Sequence, residues 1–212
     1  IVTSQALADQ YQSHSSKPLS FAFWPGSPGS AAIKPLDPLS GTIRVGIFLT
    51  ALTNQSRLID LLQMCQECAV IGDVFVREHP VKLVRPKKTK TLANGFNGTV
   101  SKNRPLDLDI RRTDLAICGN STVATELLGA GRPVLYDTCL DALSFDFNGY
   151  VEAGLLMQIP GRLGKEEIKE INRFYTSEQW VQIMKYFDCG YLENKKIIVD
   201  ESVEKIERAL GC

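Results

Sequence analysis

The sequence has little that would tie it to a membrane, a metal or a disulfide scaffold. Its 212 residues hold no apolar run near the ~20 residues that a membrane-spanning helix needs; stretches such as 45–49 are short and broken by Gly46. No basic, apolar and small-residue leader pattern follows Ile1, and a chain opening on isoleucine reads as a segment of something larger. An excess of one charge is missing too, since 24 Lys and Arg face 24 Asp and Glu. Balanced charge offers no reason to expect nucleic acid or an anionic membrane surface as a partner. Histidine is scarce, with only His14 and His79. Of the six cysteines, Cys65 and Cys68 are close, as Cys-Gln-Glu-Cys, while Cys118, Cys139, Cys189 and Cys212 are scattered. A zinc site would want a second pair, or histidines at ligand spacing. The cysteines therefore read as thiols in a reducing compartment.

What is present is ordinary globular material: 44% hydrophobic and 23% charged residues. That composition excludes a disordered or collagen-like chain, and a chain of this size buries roughly 70% of its unfolded surface. Residues 1–12 read as a strand end and a short helix, with Ser4 as its N-cap. In residues 13–40, 14 of 28 positions are Ser, Pro or Gly, which indicates an irregular crossing segment and a boundary near residue 40. Phe21, Phe23 and Trp24 within it suggest that part of it packs. Beyond the boundary, apolar strands at 42–49, 69–77, 114–118, 133–136 and 154–159 alternate with helical patterns at 55–69, 121–129, 165–175, 177–187 and 203–210. Strands that are apolar almost throughout, alternating with helices, specify an α/β fold: a Rossmann-like open parallel sheet with helices on both faces. Two units result, residues 1–40 as the end of a preceding domain plus linker, and 41–212 as the sheet domain.

The zero net charge hides a local imbalance. Across residues 81–112, nine basic residues (Lys82, Arg85, Lys87, Lys88, Lys90, Lys102, Arg104, Arg111 and Arg112) are opposed only by Asp107 and Asp109, a local charge of about +7. Such a run is ordinarily a solvated loop; the functional alternative is a rim that attracts an anion. Two motifs lie at the carboxyl ends of expected strands, the edge where open α/β sheets bind ligands. One is Val76-Arg77-Glu78-His79-Pro80. An imidazole there suits a phosphate oxygen, although a loop histidine satisfied by its neighbours has the same spacing. The other is Cys118-Gly119-Asn120-Ser121-Thr122-Val123-Ala124-Thr125-Glu126, where a strand ends, a glycine turns and hydroxyl residues open a helix. Helix N–H groups and hydroxyls suit an anion, while Asn120 or Ser121 could equally be a plain N-cap.

Taken in order, the His-Pro, the strand–Gly–x–Ser–Thr–helix and Gly129-Ala130-Gly131-Arg132-Pro133-Val134-Leu135 resemble the donor-nucleotide-binding carboxyl-terminal domain of GT-B glycosyltransferases, over about residues 40–212. Within that group the set is similar to bacterial sialyltransferases and polysialyltransferases, Kdo transferases and CDP-glycerol polymer synthases, which carry His-Pro and Ser-Ser or Ser-Thr motifs. The resemblance implies that His79, Ser121 and Thr122 contact the donor phosphate, that Pro80 shapes the turn, and that Gly119 and Asn120 belong to the same nucleotide-binding loop. A ribose-holding carboxylate is implied as well, either Glu126 or one of Asp107 and Asp109. Thr50 and Asn54, after the first strand, are further candidates for the phosphate, as is Arg77 beside His79. Asp137 could approach the sugar, but reads more simply as a turn aspartate.

The implied donor is a CMP-sugar, with CDP- and UDP-linked donors next. The implied acceptor is a glycan or lipid-linked glycan of a surface polysaccharide such as a capsule, made in the cytoplasm at the inner face of the membrane. No metal or other cofactor is expected, because basic residues and helix ends can stabilise a departing phosphate. The catalytic base is expected in an amino-terminal domain largely outside this chain, which makes the chain a donor-binding half, inactive alone. Two alternatives remain open: a UDP-sugar transferase or epimerase-like enzyme on the same fold, and a non-catalytic GT-B-like interaction domain.

Overall fold

The computed structural model describes residues 9, 12, 31–39, 42–80, 86–101, 104–187, 203, 204 and 207. The strand and helix expected within 1–12, the three aromatics of the crossing segment, Cys189 and Cys212 lie outside the described residues, apart from helical positions at Asp9 and Gln12. Val203, Glu204 and Glu207 are helical, and the rest of the helix expected there also lies outside.

In chain order the elements are β1 (Ile43–Phe48), α1 (Gln55–Glu67), β2 (Ile71–Arg77), α2 (Pro86–Gly95), β3 (Thr99–Ser101), α3 (Leu106–Arg112), β4 (Leu115–Cys118), α4 (Val123–Gly129), β5 (Val134–Tyr136), β6 (Met157–Gln158), α5 (Lys165–Tyr175) and α6 (Glu178–Phe187). The strands form one six-stranded sheet of order β3-β2-β1-β4-β5-β6. Every neighbouring pair is parallel. Its centre is apolar on both faces, with β4 and β5 buried at every position, which is the pattern of strands covered by helices on each side. Phe48 sits beside Arg77 and Cys118, and Cys118 beside Tyr136, so β1, β2, β4 and β5 all end at one edge. Gly46 belongs in β1 because a Cβ there would lie 2.7 Å from the Phe75 ring and 2.8 Å from that of Phe48, two rings that meet edge to face.

The basic stretch is not one solvated loop. It builds α2, β3 and α3, the layer at the β2 edge of the sheet. The strand expected at 154–159 shrinks to the two residues of β6, paired to β5. The Tyr175 hydroxyl donates to the Val134 carbonyl and accepts the Met157 N–H at 3.1 Å, locking β5 and β6 to α5.

The described end of the crossing segment, 31–39, lies against this domain. Ile33 and Leu36 are buried in the core, and Leu36 exchanges two 2.8 Å hydrogen bonds with the Asn172 side chain. Ala31 and Lys34 donate to the carbonyls of Gly129 and Gly131. Gly131 ends α4 in the left-handed region, φ 73°. The N–H of Arg132 there returns to Leu127 and that of Gly131 to Leu128, the double bond pattern that satisfies the last helical carbonyls.

Candidate functional site

The chain runs β1, β2, β3 toward one edge of the sheet and then crosses back to β4 on the other side of β1. The point where strand order reverses leaves a crevice at the carboxyl ends, which is where open α/β sheets hold ligands. A cleft of about 310 Å³ lies there. Thr50, Ala51 and Leu52 reach it from the loop after β1, and His79 from the loop after β2. Asn120, Ser121 and Thr122 line it after β4, and Asp141 and Leu143 after β5. His79, Ser121, Thr122, Asn120 and Thr50 are thus brought together from loops distant in sequence. His79 and Ser121 are half-buried, and Thr122 is exposed.

Asp141 is a charged cleft residue that no sequence motif singled out. It is 5% exposed. One carboxylate oxygen accepts the Thr50 hydroxyl and the other the backbone N–H of Asn120. Gly119 makes this possible, because a Cβ there would lie 2.7 Å from the Asp141 Cγ. Burial raises the Cys118 thiol above its ordinary range, with the Asp141 charge adding to the effect. Burial likewise raises the Tyr136 phenol, with Asp146, Asp141, Cys118 and Asp137 contributing.

Several residues expected at the ligand are engaged elsewhere. The Asn120 side chain clamps the loop that follows β5. Its Oδ1 accepts from the Tyr136 hydroxyl and from the Phe147 N–H, each at 2.8 Å. Its Nδ2 donates to the carbonyls of Phe145 at 2.9 Å and Leu143 at 3.3 Å. Neither Asn120 nor Ser121 caps α4. Thr122 occupies the cap position without a side-chain capping bond, and the seven-residue helix starts at Val123. The Ser121 hydroxyl instead accepts the Val123 N–H at 3.3 Å. Asn54 is the N-cap of α1, accepting from Ser56 and Arg57.

Arg77 and Asp109 form a buried ion cluster. Asp109 is fully buried, paired with both Arg77 and Arg112, and accepts the Ser101 hydroxyl at 2.6 Å. A carboxylate so enclosed cannot reach a ribose. Asp107 lies exposed on α3, 3.9 Å from Arg111. Glu126 is exposed on α4, and Pro80 is exposed directly after His79; among the described residues neither lines the cleft. Asp137 is a turn aspartate, paired with Arg57 at 2.7 Å and accepting the Cys139 N–H.

The basic stretch does not rim the cleft among the described residues. Arg112 lies 3.6 Å over the Phe75 ring as well as against Asp109. Lys82, Arg85 and Lys102, with the side chains of Lys87 and Lys88, lie outside the described residues. Also among the described residues, no group of three or more His, Cys, Asp or Glu could hold a metal ion, and no helix is long and apolar enough to cross a membrane.

No protein-family model matches the chain, and no curated protein does. Solved structures do. The pneumococcal O-GlcNAc transferase GtfA, crystallised with UDP and GlcNAc, superposes at a TM-score of 0.51 and 11% identity, over 97% of this chain and 43% of its own. The Anabaena protein HepE, crystallised with UDP-glucose, gives 0.46 and 15% over 81% of this chain and 49% of its own. The spinosyn rhamnosyltransferase SpnG gives 0.42 and 18% over 91% and 49%. The chain spans about half the length of these structures. The likeness to GtfA establishes the fold, an open Rossmann-like parallel sheet shared with part of a GT-B glycosyltransferase.

Proposed function

We propose that the chain is the donor-nucleotide-binding part of a glycosyltransferase, and that the cleft beyond β1 and β4 takes the phosphates of a UDP-sugar. The observation that carries this reading is the convergence of Thr50, His79, Ser121 and Thr122 on one cleft at the switch point of the sheet. The choice of uridine follows the ligand named for GtfA. In the transfer, an acceptor hydroxyl displaces the nucleotide from the sugar, and negative charge grows on the departing phosphate. The His79 imidazole and the Ser121 and Thr122 hydroxyls are donors suited to those oxygens. Donors fixed in advance where charge develops are an effective means of lowering such a barrier. A carboxylate of a second domain takes the acceptor proton, and the acceptor is a glycan or lipid-linked glycan.

A CMP-sugar is the second reading. It is favoured by the presence in one cleft of His79, followed by Pro80, and of the Ser121-Thr122 pair. Calorimetry of the folded chain with UDP, CDP and CMP tests both. UDP binding most tightly supports the first reading, and CMP binding most tightly moves the assignment to the second. His79→Ala weakens the preferred nucleotide by about 1–3 kcal/mol, the loss of one charge-assisted hydrogen bond. Failure of all three nucleotides to bind overturns both readings in favour of an interaction domain that keeps the fold.

A further inference from the structure

We infer that Asp141 is an internal anion seated on the donors that a ligand phosphate needs, and that its carboxylate limits how tightly the cleft binds an anion. This rests on the cleft being an anion site, and adds to that reading the residue that competes for it. A carboxylate and a phosphate are both acceptor-only anions. The Asp141 oxygens accept from the Thr50 hydroxyl at the end of β1 and from the Asn120 N–H at the end of β4, the two strands that flank the switch point. His79, Ser121 and Thr122 line the same cleft. A phosphate oxygen reaching the two donors must take the place of the carboxylate, and anywhere else in the cleft it meets a like charge nearby.

Among the described residues, no arginine or lysine lines the cleft to offset that charge. Arg57, on α1, is held 2.7 Å from Asp137. The loop that carries Asp141 is tied down at its backbone. The backbone around Asp141 is fixed to the loop after β1 by its bridge to Thr53, by Asn54 N–H to the Leu140 carbonyl at 2.7 Å, and by Ala142 N–H to the Leu52 carbonyl at 2.8 Å. The glycine at position 119 is what admits the carboxylate to this seat.

The test is calorimetry at fixed ionic strength with inorganic pyrophosphate and with UDP, on wild type and Asp141→Asn. The expected result is binding of both ligands at least tenfold tighter to the variant, with the far-UV spectrum unchanged. A folded variant that binds pyrophosphate no better, or less well, overturns the inference and makes Asp141 scaffolding. A gain for pyrophosphate with no nucleotide binding by either protein supports the inference while removing the nucleotide reading. Wild type that binds UDP, with a variant that binds it less well, does the reverse. Should Asp141→Asn fail to fold, Asp141→Ser removes the same charge and is held to the same tenfold gain.

Discussion

Asp109→Asn separates the two roles that this carboxylate can have. The substitution removes a charge while keeping the side chain's shape. Asp109 has no exposed surface and faces two guanidinium groups, Arg77 from β2 and Arg112 from α3. Arg112 also covers the Phe75 ring at 3.6 Å, so the cluster joins α3 to β2. Removing one partner from a buried ion pair costs about 3–5 kcal/mol, chiefly because the remaining charges are left buried. The two arginine side chains retain 17% and 22% exposure and can recover part of their hydration, which puts the expected loss near the lower bound, about 3 kcal/mol. At ~2–4 °C per kcal/mol for a domain of this size, the melting temperature falls by roughly 6–12 °C. The assay is thermal melting followed by circular dichroism, paired with UDP calorimetry below the transition. Asp107→Asn is the control, since an exposed pair at this separation contributes ~0–1 kcal/mol. A melting temperature within ~2 °C of wild type, combined with weakened nucleotide binding, refutes the structural reasoning and returns Asp109 to the ribose.

Three further outcomes are expected. Gly131→Ala places a Cβ 2.6 Å from the Ala32 carbonyl at φ 73°; left-handed backbone alone costs an L-residue ~1–2 kcal/mol, so the urea midpoint drops, and an unchanged midpoint contradicts the close approach of residues 31–34. Asn120→Ala removes the clamp on Leu143, Phe145 and Phe147, so chymotrypsin cleavage after Phe145 and Phe147 accelerates, whereas an unchanged rate means the loop is held by other contacts. Burial raises Cys65 to about 12 and raises Cys118 as well, while unfolded thiols ionise near ~8.5. Because the folded values are the higher ones, this contribution to stability is complete below about pH 8.5 and is lost as pH rises toward 12. The urea midpoint therefore declines between pH 8 and 10.5, and a flat profile refutes the assignment.

The strands legible in the sequence are those that the fold buries on both faces. Runs such as Ile43–Phe48 and Leu115–Cys118 are continuous apolar segments too short for helices, and their parallel pairing follows from the helices between them. The layer from α2 to α3 was illegible for a stated reason. The buried side of α2 includes Thr89 and Ala93, and that of α3 is Asp109 and Ile110, while Leu108 faces solvent. Hydrophobic periodicity marks such helices poorly, because a threonine in α2 and a carboxylate in α3 take inward positions, and the surrounding lysines and arginines make the stretch look solvated.

Three of the four loops that line the cleft carry a motif visible in the sequence. Loops after parallel strands open at the same edge, and reading those after β1, β2 and β4 reached Thr50, His79, Ser121 and Thr122. The loop after β5 obeys the same rule and holds Asp141, four residues beyond the turn aspartate Asp137. What the rule could not supply is the direction of each polar group. Asn120 turns its amide onto Tyr136 and the loop from Leu143 to Phe147, and only its N–H reaches Asp141. That contact spans 21 residues, and the Thr50 contact spans 91. The seat of the Asp141 carboxylate in the cleft is therefore set by long-range pairing. The sequence motifs describe a cradle of donors, and the fold shows two of those donors already matched to a carboxylate of the same chain.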